Sequence, residues 1–392
     1  MAAEKPKVVY VAPNRSHHFG YAEGLARAGL LQTFISGYPR LKGAFATLQV
    51  PREQVVHADH FQMLYLAAGR GRMPHAVRDW LNRQSKSWMA RLTVKALAQA
   101  DLALVYSGCG LEAFRHWQGR RCLLVEAVNT HVEVQRRILD CEVARWQTEP
   151  LCWDETEIVR RVREYAAADY ILGPSDFVRE SFAQEGFAAA RLLKNPYGCR
   201  DLGSFQAAER PPRRDQPLRV LYVGQLNLRK GLGYLLEAFA RFPAGAMELI
   251  LVGPTSPPTG LPEALPPGVS CTGVLRGAAL AEAYAQAEVF VQPSVEEGLS
   301  LVVGEAMHFG LPVVATVSSG AQELFQDETA GLLVAPADSD ALFLALERMQ
   351  QAPDWRHRLG RAGQQLAQGL ASAARAADNL AQILQQAWTA WR

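Results

Sequence analysis

Two adjacent bases, Arg229 and Lys230, stand in Gly224-Gln225-Leu226-Asn227-Leu228-Arg229-Lys230-Gly231, directly after the apolar run 219–223. A strand's carboxyl end is where such a pair meets phosphate, Arg as a fork and Lys as a point charge. The turn is not a Walker loop, because Gly-x-x-x-x-Gly-Lys-Ser/Thr is absent. A second turn follows the apolar run 289–292 and reads Pro293-Ser294-Val295-Glu296-Glu297-Gly298-Leu299-Ser300-Leu301. Glu297 lies in that loop and Glu305 lies inside the helix that follows. Between them, the amides of Gly298, Leu299, Ser300 and Leu301 read as unpaired donors at a helix N-terminus, which suits an anion. Carboxylates accept hydrogen bonds from vicinal hydroxyls. A phosphate site between two sugar-reading carboxylates has the shape of a nucleoside-diphosphate sugar. The same residues also read as two exposed bases, a capping carboxylate and a solvated one, a description that fits Glu296 best.

Positioning these turns requires parallel α/β units. Short Val-, Ile- and Leu-rich runs alternate with helical patterns along the 392 residues. Strands are expected at 8–12, 33–36, 102–106, 122–126, 170–172 and 191–194. They resume at 219–223, 248–252, 289–292, 313–316 and 332–334. Helices are expected at 21–28, 111–117, 133–146 and 155–167, then at 234–241, 280–286, 301–309, 321–325 and 341–349. Pro211, Pro212, Arg213, Arg214, Asp215 and Pro217 mark a linker. The expected organisation is a first domain at 1–200, a linker at 201–217, a second domain at 218–370 and a helical tail at 371–392. The tail carries apolar residues at helical spacing and is expected to pack back on the first domain.

Composition excludes several classes. The 41 Lys+Arg and 39 Asp+Glu leave a net charge of +2, which does not indicate a nucleic-acid binder. Hydrophobic residues at 49% and charged residues at 20% are globular values, not those of a disordered chain. No run approaches the ~20 apolar residues of a membrane span, and the opening residues lack a leader's apolar core. The six cysteines include no Cys-x-x-Cys and read as reduced thiols of a cytoplasmic protein. Residues 1–100 hold 14 bases against 5 acids. Much of that excess lies in an insertion at 40–95, where Trp80 and Trp88 are interleaved with Arg and Lys. It reads equally as a solvated helical face or as a contact for an anionic membrane surface.

The second-half motifs resemble glycosyltransferase family 4. They are Gly224-Gln225-Leu226 with Arg229-Lys230-Gly231, then Pro293-Ser294 with Glu297-Gly298-Leu299, Glu305-Ala306-Met307 and Gly310-Leu311-Pro312-Val313-Val314-Ala315. The likeness spans about 218–349. It implies the GT-B fold, two Rossmann-like doubly wound domains facing a central cleft. The implied activity is retaining transfer of a hexose from a UDP- or GDP-linked sugar to a glycan or lipid-linked acceptor. The implied setting is bacterial surface polysaccharide or lipopolysaccharide synthesis, with no metal or other cofactor. The roles implied are catalytic for Arg229, Lys230, Glu297 and His131. Donor contacts are implied for Gly224, Gln225, Val274, Leu275, Gly298, Leu299, Ser300, Leu301 and Glu305. The turn after the first strand supplies the acceptor side with Asn14, Arg15, His17, His18 and Gly20. Gln225 stands where the family often has Arg, and the first turn lacks the family's paired glycines. Asp338-Ser339-Asp340 imitates a metal motif but sits where an N-cap belongs. Two other readings share the nucleotide-side residues: a GT-B nucleotide-sugar epimerase and a non-catalytic nucleotide-sugar-binding partner.

Overall fold

The computed structural model describes residues 4–40, 43–69, 74–198, 216–256, 258–262, 264–370 and 372–392. The first unit runs β1 (Val8–Ala12), α1 (His18–Arg27), β2 (Leu31–Ser36), β3 (Val55–His57), α2 (His60–Gly69), α3 (His75–Ala96) and β4 (Leu102–Tyr106). It continues with α4 (Leu111–Trp117), β5 (Cys122–Glu126), α5 (Val132–Trp146), α6 (Glu155–Ala167), β6 (Tyr170–Gly173), α7 (Asp176–Gln184) and β7 (Leu192–Lys194). The second unit runs β8 (Leu218–Val223), α8 (Leu232–Phe239), β9 (Met247–Val252), β10 (Val269–Gly273), α9 (Ala278–Gln286), β11 (Val289–Gln292) and α10 (Leu301–His308). It ends with β12 (Val313–Thr316), β13 (Gly331–Val334), α11 (Ser339–Gln351), α12 (Pro353–Gly369) and α13 (Ala373–Trp391). Of the expected linker 201–217, residues 201–215 lie outside the described residues.

Each unit is a parallel sheet wound in both directions, as the alternating pattern implies. The first has strand order β3-β2-β1-β4-β5-β6-β7 and the second β10-β9-β8-β11-β12-β13. Helices cover both faces, so strands such as β1 and β5 are buried along their whole length and can be continuously apolar. The strand order reverses between β1 and β4 in one sheet and between β8 and β11 in the other. Crevices form at the carboxyl ends of strands flanking such reversals.

Two strands depart from the sequence expectation. β3 lies inside the insertion at 40–95, where no strand was expected, and pairs with β2. β10 pairs with β9 at the other sheet's edge. The expected helix 321–325 is only a 3-10 turn, Ala321–Glu323. Helices α2, α3, α7 and α12 were not among the expected ones.

Helix α13 lies on α1. An added Cβ at Gly24 would come 2.4 Å from Ala377 Cβ, so this crossing depends on a residue without a side chain. Asn195, beyond β7, donates to Tyr21 Oη (2.7 Å) and to Ala376 O (3.1 Å), fastening the helix. Helix α5 belongs to the first sheet but leans on the second unit. Its Glu142 accepts from Tyr234 Oη at 3.0 Å, and its Trp146 lies over Gly233.

Candidate active site

The turns after β8 and β11 meet at the second sheet's reversal. Gly231 has φ +66°, and a Cβ there would sit 2.0 Å from Pro293 O, so the two turns touch because this position is glycine. The backbone continues the join: Arg229 O accepts from Val295 N at 3.0 Å. The side chains converge above it. Arg229 Nη2 lies 3.6 Å from Glu297 Oε1, and Lys230 Nζ pairs with Glu297 Oε2. Lys230 is only 8% exposed. Burial, then the Arg229 charge, push its pKa down to about 7 against the opposing pull of Glu296. Glu305 is buried in α10 and accepts from Tyr284 Oη at 3.1 Å.

Glu296, one residue from Glu297, points the other way. It is fully buried and accepts from Thr130 N (3.2 Å), Thr130 Oγ1 (2.8 Å), Gln135 Nε2 (3.0 Å) and Arg229 Nη1 (3.2 Å). It therefore ties the first unit to the donor-side arginine. The reading of Glu296 as a solvated or capping carboxylate is corrected by this burial. The loop after it also docks on the first unit. Ser175 Oγ donates to Gly298 O at 2.6 Å, and a Cβ on Gly298 would come 1.8 Å from Val128 O.

The first sheet's reversal carries a second polar cluster. His17 Nε2 meets Glu126 Oε1 at 2.6 Å, and Tyr10 Oη donates to Glu126 Oε2 at 2.9 Å. His18 Nδ1 contacts Tyr10 Oη at 2.6 Å. The His17 ring stacks on Tyr197, with centroids 3.8 Å apart. Burial disfavours an ionised Glu126, but His18 and His17 outweigh it and hold the carboxyl well below its ordinary range. Burial, then His18, push His17 down to about 4.

The sequence profile described as "Glycosyl transferases group 1" matches residues 217–352, the stretch that holds Arg229, Lys230, Glu297 and Glu305. The match lies within the second unit, which is thus similar to a glycosyl transferases group 1 domain. The chain is 29% identical to the sulfoquinovosyl transferase of Arabidopsis thaliana over 262 residues, 62% of this chain and 48% of that protein. It is 35% identical to the GDP-mannose-dependent alpha-mannosyltransferase of Mycolicibacterium smegmatis over 182 residues, 43% of this chain and 45% of that protein. The matches thus span less than half the length of these two relatives. Among solved structures, sucrose-phosphate synthase from Thermosynechococcus elongatus superposes with a TM-score of 0.67 at 21% identity, covering 98% of this chain and 100% of that one. The fold is GT-B.

Within the matched stretch the structure places the expected donor residues unevenly. Gly224 opens the β8 turn, its N–H bonded to Val252 O. Gln225 is exposed and accepts from Asn227. Val274 and Leu275 follow β10, with Val274 51% exposed. The amide of Ser300 is not a free donor, because it bonds Ser319 O at 2.9 Å. That corrects one member of the expected anion nest; Leu299 and Leu301 flank it. Asp338 caps α11, accepting from Ala341 N at 2.8 Å, as its position implied.

In the first unit, His17 and His18 join the cluster at the first sheet's reversal, with Asn14 and Arg15 in the same turn and Gly20 inside α1. His131 lies at the N-terminus of α5, next to Thr130, which bonds Glu296. It caps α5, accepting from Glu133 N at 3.3 Å, and its ring packs among Tyr165, Phe182 and Phe187 in the first unit's core. Sequence reasoning gave Glu126 no role and misread Glu296. The available signal for Glu126 was a carboxylate closing an otherwise apolar strand, at the end where ligands bind.

Proposed function

We infer that the protein is a glycosyltransferase that moves a hexose from a UDP- or GDP-linked sugar, with retention, to a glycan or lipid-linked acceptor. Its setting would be bacterial surface polysaccharide or lipopolysaccharide synthesis, at the cytoplasmic face of a membrane. The observation that carries this reading is the convergence of Arg229, Lys230 and Glu297 at a sheet reversal, with Glu305 in the helix that follows the same turn. Arg229 and Lys230 hold the diphosphate, Glu305 the ribose hydroxyls and Glu297 the hexose. Gly298, Leu299 and Leu301 offer backbone to donor, and Val274 and Leu275 line the base. As the bond from the anomeric carbon to the diphosphate breaks, the two cations stabilise the leaving group's charge. Such preorganised electrostatics is usually the largest catalytic contribution. The acceptor hydroxyl attacks on the leaving-group face and the phosphate takes its proton, so neither an enzymic nucleophile nor a metal is called for.

Thermal unfolding with nucleotide sugars, with and without EDTA, tests this. A donor at ~100 times its Kd adds about 2.7 kcal/mol. The shift should also depend on pH. A diphosphate raises the Lys230 pKa above its unliganded value of about 7. Affinity that depends on its charge is therefore complete below pH 7 and is lost as pH rises through the liganded pKa. The shift with the same nucleotide sugar should be larger at pH 6.5 than at pH 9, regardless of EDTA. No shift with any nucleotide sugar at either pH would remove the transferase reading.

We place the membrane contact at 40–95. No helix among the described residues is long and apolar enough to cross a membrane. Leu64, Val77 and Trp80 stand exposed on α2 and α3. Three of the insertion's cations are spent internally, Arg40 on Asp59, Arg83 on Asp154 and Lys86 on Glu157. Co-sedimentation with anionic vesicles at low salt is expected; its absence would leave the solvated-face reading.

A further inference from the structure

The outer helices of the first unit carry a basic groove. Helix α4 packs against α3 on one side and α6 on the other. Between the three lies a groove of about 590 Å³, whose lining includes Arg83, Arg115, Arg160 and Arg163. Arg83 is held by Asp154, and Arg160 forks onto Glu112 at 3.0 and 2.5 Å. The one carboxylate in the lining, Glu155, pairs with Arg136 of α5 at 2.8 Å. Arg115 and Arg163 are exposed and make no hydrogen bond or ion pair with the described residues.

A cavity of about 450 Å³ adjoins this groove, since Gln84 and Ser87 line both. Its wall carries Phe61, Trp88 and Arg91, and Arg91 is likewise unpaired among the described residues. Trp88 Nε1 is buried and has no partner. An orphaned buried N–H is rare and calls for a ligand or water. The groove also leads toward the sheet's carboxyl edge. Arg160 donates to Gly108 O at 2.8 Å, and Gly108 lies in the turn after β4, at the first reversal.

These groups select a class of ligand. Unpaired like charges along one groove repel, and a bound anion removes that repulsion. The guanidinium fork fits a carboxylate or a phosphate. Gln84, Thr156 and the Trp88 N–H suit hydroxyls, whereas hydrocarbon laid against them would leave them unsatisfied. The half-buried rings of Phe61 and Trp88 offer negative π-faces to the C–H bonds of a sugar ring. We propose that this groove binds an acidic glycan: Arg91, Arg115 and Arg163 take carboxylates or phosphates carried on the acceptor chain, and its sugar faces lie on Trp88 and Phe61. This rests on the transferase reading above and gives the acceptor a chemical class, a chain bearing negative charge at a distance from the reacting sugar.

The test titrates the full chain calorimetrically at low salt with trigalacturonate, whose anions are carboxylates, with phosphopentamannose, whose anion is a phosphate, and with neutral maltopentaose. One or both acidic probes should bind, identifying the anion, and maltopentaose should not. Arg115→Gln combined with Arg163→Gln removes two unpaired surface charges and is expected to fold, to keep the donor-induced thermal shift and to bind the acidic probe about 10–100-fold more weakly. Trp88→Phe keeps a ring and removes the N–H, and should weaken binding about 3–10-fold with the donor shift again unchanged. Failure of both acidic probes to bind overturns the proposal, as does a double variant that binds them like the wild type. Binding to phosphatidylglycerol vesicles that depends on Arg115 and Arg163, without oligosaccharide binding, overturns it in favour of a membrane contact. A wild type with no donor shift fails the transferase reading and the assignment of the bound chain as acceptor; the oligosaccharide titration is read separately, so the two failures are told apart.

Discussion

Lys230→Ala is expected to lower glycosyl transfer by about 10²–10³-fold, the loss typical of removing one preorganised charge from a developing anion. The thermal midpoint should stay near that of the wild type. Lys230 is buried, and burial already pushes its pKa down to about 7. Removing it therefore takes away a poorly solvated ammonium rather than a stabilising one. Glu297 keeps Arg229 within 3.6 Å, so its carboxylate is not left alone. Function and stability separate at this position, as they do where a site is strained for its task. Lys230→Arg should not rescue the rate. The planar guanidinium is larger than the ammonium and cannot sit in the same close contact with Glu297. Initial rates with saturating donor, beside melting curves for both variants, decide this. A Lys230→Ala enzyme at full rate would remove the proposed mechanism.

The reach of the sequence can be judged residue by residue. The buried strands were legible because both faces are covered and the code is a run of Val, Leu and Ile, as in β1 and β5. β10 was not, since Val269-Ser270-Cys271-Thr272-Gly273 is an exposed edge strand without that run. β3 is three residues long and carries no period. Arg229, Lys230 and Glu297 stood out because each lies in a turn whose local order announces a strand end and a helix start, and Glu305 because it lies in the helix that follows. Glu126 had no such context. Its role depends on His17, more than a hundred residues away, and that pairing exists only in three dimensions. His131 is a different case. Its position after a strand suggested the cleft, and the structure adds aromatic neighbours, Tyr165, Phe182 and Phe187, that nothing local announces. Glu296 and Glu297 are adjacent, so one sequence feature served two directions, and only the packing of α5 against the second unit assigns them.

Glu296→Gln is the sharpest test of that assignment. The carboxylate accepts four hydrogen bonds, two from Thr130, one from Gln135 and one from Arg229. A glutamine can keep the Thr130 pair on its oxygen. Its amide nitrogen then faces the Gln135 and Arg229 donors, and two donors cannot bond one another. Leaving buried donors unmet costs about 1–3 kcal/mol, a loss of several degrees in Tm for a domain of this size. The effect on transfer should exceed what stability alone explains, because Arg229 loses the contact that aims it at the diphosphate. A drop of about 10–100-fold in kcat/KM follows from misplacing one such group. Thr130→Val is the control. It removes the Thr130 hydroxyl bond to Glu296 and leaves Arg229 aimed, so it should lower Tm with little change in rate. Arg229→Gln combined with Glu296→Gln should cost less than the sum of the single changes, because residues sharing one network are not additive. Additive losses, or a Glu296→Gln enzyme at full rate, would mean that Glu296 holds the two units together without aiming Arg229, and that the arginine is oriented by Glu297 alone.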